Sequence, residues 1–212
     1  MYCPESFRET ELSVLHDLMY THTFATLVSL CGTELCADHL PLVFHAERGP
    51  HGTLCGHVSR STPLWTHFTD HTEVLVIFRG PDSYITPSWY PSKHTDGKVV
   101  PTWNYAVVHA YGKPRAIEDR GWLLEHVTEL TRHHEAREVM PWQISDAPND
   151  CIARMLTGII GIEISVSRLG GKFKVSQNRS RADQLGVAKG LHSREAEREH
   201  TMASLVLQHL KP

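Results

Sequence analysis

Apolar residues Leu12, Leu15, Leu18 and Met19 recur at helical spacing behind Thr10, which suits an N-cap, and predict a first helix ending near His22. Phe24–Leu30 and Leu35–Phe44 then read as two β-rich runs joined at Gly32-Thr33, a hairpin. After the turn-forming stretch Arg48–Gly52, residues Thr53–Ser59 predict a third strand. Thr62-Pro63 opens a short helix carrying Leu64, Trp65 and Phe68. Glu73–Arg79 is a continuous apolar run and predicts a central strand. Gly80–Lys98, broken by Pro81, Pro87 and Pro91, reads as a long loop exposing Tyr84, Trp89 and Tyr90. Val99–Tyr111 returns to β-type composition, and after a break at Gly112–Pro114 a further short strand is expected over Arg115–Glu118.

In the C-terminal half, Asp119–Arg137 predicts a helix with Leu123, Leu124, Val127, Leu130 and Thr131 on one side, and a second helix spans Ala147–Leu156. Ile159–Arg168 alternates as a strand, Gly170-Gly171 reads as a turn, and Phe173–Gln177 follows as a further strand. Ser193–Leu210 predicts a helix whose apolar side (Met202, Leu205, Val206, Leu210) must rest on the body or on a partner subunit. The fold class is mainly β with α: a β-barrel with peripheral helices, because strand–helix alternation is missing from the first half. One domain over residues 1–190 with a helical tail at 191–212 is the expected partition.

Composition narrows the function classes. At 212 residues, 41% hydrophobic and 21% charged, the chain is an ordinary globular protein. Its formal charge of −3 argues against non-specific coating of nucleic acid, so a DNA role requires a local basic patch. The 16 histidines make the charge sensitive to pH near neutrality. Five cysteines, an odd number without a C-x-x-C pair, read as reduced thiols, and no four-ligand zinc site assembles from the spacings. Neither a secretory signal nor a membrane-length apolar run occurs, so a cytoplasmic location is expected.

Phosphate-loop, dinucleotide-fingerprint and H-E-x-x-H patterns are all missing. His133-His134-Glu135 looks metal-like, but adjacent helical positions point about 100° apart. Aromatic and polar groups concentrate in Ser88–Lys93, Gly97–Tyr105 and Gly171–Arg179, which offer stacking faces and cations for a nucleotide-like cofactor or, equally, core aromatics beside solvated charges. In Gly56–Arg60, His57 and Ser59 share one strand face and Arg60 follows, an arrangement suited to a phosphate; an ordinary surface arginine is the rival reading.

Met1–Pro4 with Phe7, Asp38–Pro41, Gly49–Leu54 with Gly56-His57, Ser83–Tyr90, Gly97–Tyr105 with His109, and Lys174–Arg179 together resemble the PaiB-like family of FMN-binding negative transcriptional regulators. The likeness covers residues 1 to about 190. It implies a flavin-reductase-like split β-barrel, a homodimer and FMN in grooves at the subunit interface. By that resemblance the phosphate role falls to Ser59 and Arg60 with His39 and His57 beside them, while Trp103, Asn104, Tyr105, Lys174, Gln177 and Asn178 are expected as ring or interface contacts. No catalytic residue is assigned, and whether the chain is an enzyme stays open. No helix-turn-helix is visible, although Arg181, Lys189, Arg194 and Arg198 offer charge for direct DNA contact. A flavin- or haem-dependent oxidoreductase on the same barrel is the alternative.

Overall fold

A computed structural model describes residues 1–95 and 97–210; positions 211 and 212 of the expected tail lie outside the described residues, as does position 96 of the expected loop. The elements run β1 (Arg8–Glu9), α1 (Leu12–Thr21), β2 (Phe24–Cys31), β3 (Glu34–Pro41), β4 (Val43–His45), β5 (Thr53–Ser59), β6 (Val74–Ile85) and β7 (Thr102–Ile117). They continue with α2 (Arg120–Glu135), α3 (Asn149–Leu156), β8 (Ile159–Lys174), α4 (Arg181–His192) and α5 (Glu197–Gln208). The strands form one sheet in the order β3-β2-β6-β7-β8-β5-β4, with β1 added alongside β8. The pairings β1–β8, β2–β3, β2–β6, β4–β5 and β5–β8 are antiparallel. The chain divides into two compact units, residues 1–18, 79–108 and 170–212 forming unit 1 and residues 19–78 and 109–169 forming unit 2.

In unit 2 the hairpin turns through Gly32, whose φ of 69° is the left-handed conformation glycine tolerates. The strands of this unit bury Leu27, Leu54, Val76, Phe78, Ile160, Ile162 and Ile164, β2 and β6 by alternation and the start of β5 and of β8 as continuous buried runs. The β5 register sets His57 opposite Gly161 and Ser59 opposite Ile159. Helix α2 is capped by the Asp119 carboxylate, which accepts from Trp122 N at 2.7 Å. It buries Leu123, His126 and Leu130, while Leu124, expected inside, is exposed.

Several expected breaks are continuous strand. Gly112–Pro114 does not turn: β7 runs through it, and the bare Gly112 lets β8 approach so closely that a Cβ would lie 2.5 Å from Ser165 O. Gly170-Gly171 likewise stays in β8, with Gly171 paired to Glu9 and backed by Leu15, whose Cδ2 would meet a Cβ at 2.3 Å. Gly80 and Pro81 lie inside β6, which continues to Ile85. The expected helix after Thr62-Pro63 is only a 3-10 turn, Leu64–His67.

Unit 1 corrects two further expectations. Tyr90 is buried rather than exposed, in a core with Ile85, Val175, Val187, Leu191 and Val206. Helix α4, absent from the expected elements, packs on Trp89, and its glycines are the reason: a Cβ on Gly190 would fall 2.2 Å from the Trp89 indole. Helix α5 lies against α4 and buries Met202, Ala203 and Val206, so the apolar side of the tail rests on the protein's own body. Burying side chains such as Met202 and Val206 contributes about 1.5–3 kcal/mol each.

Candidate functional site

The expected phosphate segment closes β5 in unit 2. Arg60 N donates to Gly158 O at 2.8 Å, which continues the β5–β8 ladder one residue beyond the strand. Its side chain reaches Thr157 O through Nε at 3.0 Å and Glu118 Oε2 through Nη1 at 2.7 Å. Ser59 and Ser61 hydroxyls lie 2.7 Å apart beside it. Arg60 and Arg120 line one pocket of about 270 Å³ with Glu118, Leu123, Leu156 and Thr157. An α-helix N-terminus does not contribute there from residues 62–68, where only the 3-10 turn forms. Glu118 is the one carboxylate lining that pocket, and it is largely exposed, so its pairing with Arg60 is a solvent-screened contact.

Deeper in the same unit, His57 Nδ1 lies 3.1 Å from His126 Nε2, and His126 stacks on Trp122 with ring centroids 5.2 Å apart. The sequence logic is local: Gly161, opposite His57, has no side chain, and the Trp122 indole occupies the space a Cβ would need. His126 is 4% exposed and its Nδ1 has no hydrogen-bond partner among the described residues. Burial, helped by His57 and His45, pushes its imidazole down to about 4; burial also lowers His57. Beside this pair, Glu163 accepts from Arg115 at 2.6 Å and from Arg48, which also donates to Cys55 Sγ at 3.4 Å. Burial alone would raise the Glu163 carboxyl, but the two guanidiniums outweigh it and hold it below the usual carboxylate range. Burial pushes the Cys55 thiol up to about 11, leaving it protonated. His39 sits apart on β3, its Nδ1 3.0 Å from Thr26 Oγ1 and its ring against Phe24.

The other expected residues are in unit 1. Lys174 donates to Thr102 Oγ1 and Trp103 O, which brings Lys174 and the Trp103–Tyr105 segment together. Asn104 is buried and donates to Ser176 Oγ at 2.9 Å. Gln177 folds back on its own chain, accepting from Val175 N and donating to Phe173 O. Asn104 and Gln177 therefore hold the β7–β8 ends in shape, and Asn178 is exposed. Tyr84 meets Trp103 edge-on at 6.0 Å, and Lys172 lies over Tyr105 at 5.5 Å.

Sequence reasoning missed Arg120, Trp122, His126 and Glu163. A histidine in the Leu123–Leu130 stripe was the available signal for His126, while the Glu163 cluster joins residues far apart in the chain.

The family described as "Putative FMN-binding domain" matches residues 1–168. The chain belongs to this family. It is 32% identical over 211 residues to "Protease synthase and sporulation protein PAI 2" of Bacillus subtilis, covering 100% of this chain and 99% of that protein, which bears out the PaiB-like resemblance. It is also 32% identical to "Uncharacterized protein AN0679" of Emericella nidulans, over 97% of this chain and 96% of that one. Among solved structures, the FAD and heme binding protein of Mycobacterium smegmatis superposes with a TM-score of 0.55 at 13% identity, covering 79% of this chain and 73% of that one. The flavocytochrome Anf3 of Azotobacter vinelandii gives 0.55 at 9%, covering 79% and 69%. The fold is thus the split-barrel class expected from the FMN-binding family, with helices added to an antiparallel sheet. Among the described residues no helix is long and apolar enough to cross a membrane.

Proposed function

We propose that this PaiB-like protein binds FMN as a homodimer, holds the FMN phosphate at the end of β5, and acts as a flavin-dependent negative regulator of transcription. The observation that carries the cofactor reading is the pocket in which two guanidiniums, Arg60 and Arg120, face a single exposed carboxylate beside the Ser59 and Ser61 hydroxyls. A phosphate there exchanges with Glu118 at small cost, because an exposed ion pair contributes only about 0–1 kcal/mol, whereas Arg–phosphate contacts are charge-assisted and can be bidentate. Ser59 donates to the phosphate, and Arg60 neutralises and orients it. His57, one residue pair back on the strand, is fixed by His126 and sets the strand's position against α2. Bound FMN supplies a redox-active ring.

The homodimer reading is supported by the open face of the β2–β3 hairpin. Phe24, Leu30 and Leu35 are 69%, 54% and 78% exposed on one side of it, and His39 stands among them. A cytoplasmic location belongs to the same reading and is supported by five free cysteines. The direct test is the absorption spectrum of the purified protein with parallel fluorescence titrations of FMN and riboflavin. Tighter binding of FMN than of riboflavin is expected; equal affinities would remove the phosphate site. Rapid NADH or NADPH oxidation by the FMN-loaded protein would move the reading from regulator to oxidoreductase.

A further inference from the structure

Helix α2 ends beside the segment that follows it, and the two enclose an open cavity of about 500 Å³ within unit 2. One wall is a stripe along the helix: Thr128, Thr131, Arg132 and Glu135, at i, i+3, i+4 and i+7, line it together. The other wall is the 141–145 stretch, which presents Pro141, Trp142 and Ile144. Hydrogen bonds fix that stretch at the rim without packing it down onto the helix. Trp142 N donates to Glu135 Oε2 at 2.9 Å, and Gln143 N donates to Asp146 Oδ2 at 2.9 Å around the 3-10 turn Ile144–Asp146. Two charges stand among the apolar groups. Arg132 and Glu135 are three residues apart, a spacing that permits an ion pair, yet Arg132 enters no ion pair or hydrogen bond among the described residues. Glu135 gives one carboxylate oxygen to Trp142 N and keeps the other open.

Sites for small molecules are concave, mainly apolar and about 300–1,000 Å³, with a few polar groups that fix orientation, and this cavity has that make-up. Its charges select among occupants. A hydrocarbon would strip water from Arg132 and Glu135 and return nothing. A phosphate ester would meet Arg132 but also the Glu135 carboxylate and the negative end of the α2 dipole, because the helix stops at Glu135. A lone cation leaves Arg132 unmatched. A molecule with one carboxylate, one ammonium and a flat ring meets all three features: the carboxylate on Arg132, the ammonium at Glu135 and the helix C-terminus, the ring on the Trp142 indole. We propose that this cavity binds a free aromatic α-amino acid. The inference goes beyond the FMN reading and rests on other residues. The phosphate pocket takes Arg120 and Leu123 from the start of α2, whereas Arg132 lies about 18 Å further along the helix axis.

The experiment is isothermal titration calorimetry of the full chain with L-phenylalanine, L-tyrosine and L-tryptophan. The tightest binder is then set against its own amide, which lacks the carboxylate, its N-acetyl form, which lacks the ammonium, and L-alanine, which lacks the ring. One of the three aromatic amino acids is expected to bind once per chain, and each of the altered probes to bind about tenfold more weakly, the scale of one charge-assisted hydrogen bond. Arg132→Gln, at an exposed position, should raise the dissociation constant about tenfold, and Arg132→Lys should recover part of the loss. Trp142→Ala should raise it about two- to tenfold, with Trp142→Phe in between. These variants should titrate FMN like the parent, and Arg60→Ala should bind the amino acid like the parent, which separates failure of this inference from failure of the FMN reading. The proposal is overturned if none of the three binds at millimolar concentration, the result also expected if a second copy of the chain covers the cavity. It is overturned as well if the amide or the N-acetyl form binds as tightly as the free amino acid, or if Arg132→Gln binds like the parent while circular dichroism shows it folded. Displacement of the amino acid by one equivalent of FMN would also overturn it, because the cavity would then be a flavin site.

Discussion

Arg60 and His126 show what a single side chain decides. FMN differs from riboflavin only in its phosphate, so a residue that grips the phosphate must separate the two ligands. Charge-assisted hydrogen bonds contribute roughly 1.5–3 kcal/mol, which makes Arg60→Ala raise the FMN dissociation constant about ten- to a hundredfold while riboflavin changes little. Lys93→Ala, a cation in unit 1, is the control for loss of a unit charge. Equal loss of both ligands in fluorescence titration would show that Arg60 supports structure rather than phosphate. His126 predicts a pH effect. Its folded pKa, about 4, lies below the free value near 6.5, so the unfolded chain takes up the proton first. Stability from this group is complete above about 6.5 and is lost as pH falls towards 4. Between pH 8 and pH 5 the loss is about 2 kcal/mol, to be read as a lower urea midpoint. His126→Gln should flatten that dependence; an unchanged profile would reject the buried imidazole as its source.

Elements are governed by where the chain needs bare backbone. Gly186→Ala on α4 sets two effects against each other. Alanine gains about 1 kcal/mol of helix propensity, but its Cβ would lie 2.0 Å from Trp89 O, a backbone atom that cannot swing aside. Overpacking of this kind costs about 1–3 kcal/mol, so the variant should melt several degrees below the parent; a raised melting temperature would show that α4 does not press on the 86–95 segment. The same chemistry explains which elements were readable in the sequence. α1, the β2–β3 hairpin, β5 and α3 follow from local periodicity, and their edges agree with expectation to within a few residues. Gly112 and Gly171 were read as breaks because a sequence does not reveal whether a glycine turns the chain or admits a neighbour. The candidate site divided in the same way. Ser59, Arg60 and His57 were legible as strand-end chemistry, and Arg120 and His126 were not, since they arrive on a helix whose docking depends on tertiary contacts.

For the whole molecule, the prediction is association. The tail helix no longer supplies a free apolar side, because Met202, Ala203 and Val206 are buried within unit 1. The β2–β3 hairpin does expose apolar side chains on one face, where Leu30 pairs with Leu35 and Thr26 with His39, and β3 is the last strand of the sheet. An exposed apolar edge invites another chain, and a two-fold contact would bring Leu35 against the same face of the partner without opposing like charges. A stable interface buries about 800 Å² on each side, so the predicted dimer would need the hairpin as the apolar centre of a larger contact. Light scattering should therefore give twice the 24.0 kDa chain mass at micromolar concentration. Leu35→Glu, at a position already 78% exposed, should leave the fold intact and shift the protein to monomer. Its effect on FMN then separates two geometries: a cofactor held in a groove between subunits is lost with the dimer, whereas one held by Arg60, Ser59 and Arg120 within a single unit is retained. If the parent runs as a monomer, or Leu35→Glu and Phe24→Glu both remain dimeric, the hairpin face is not the contact.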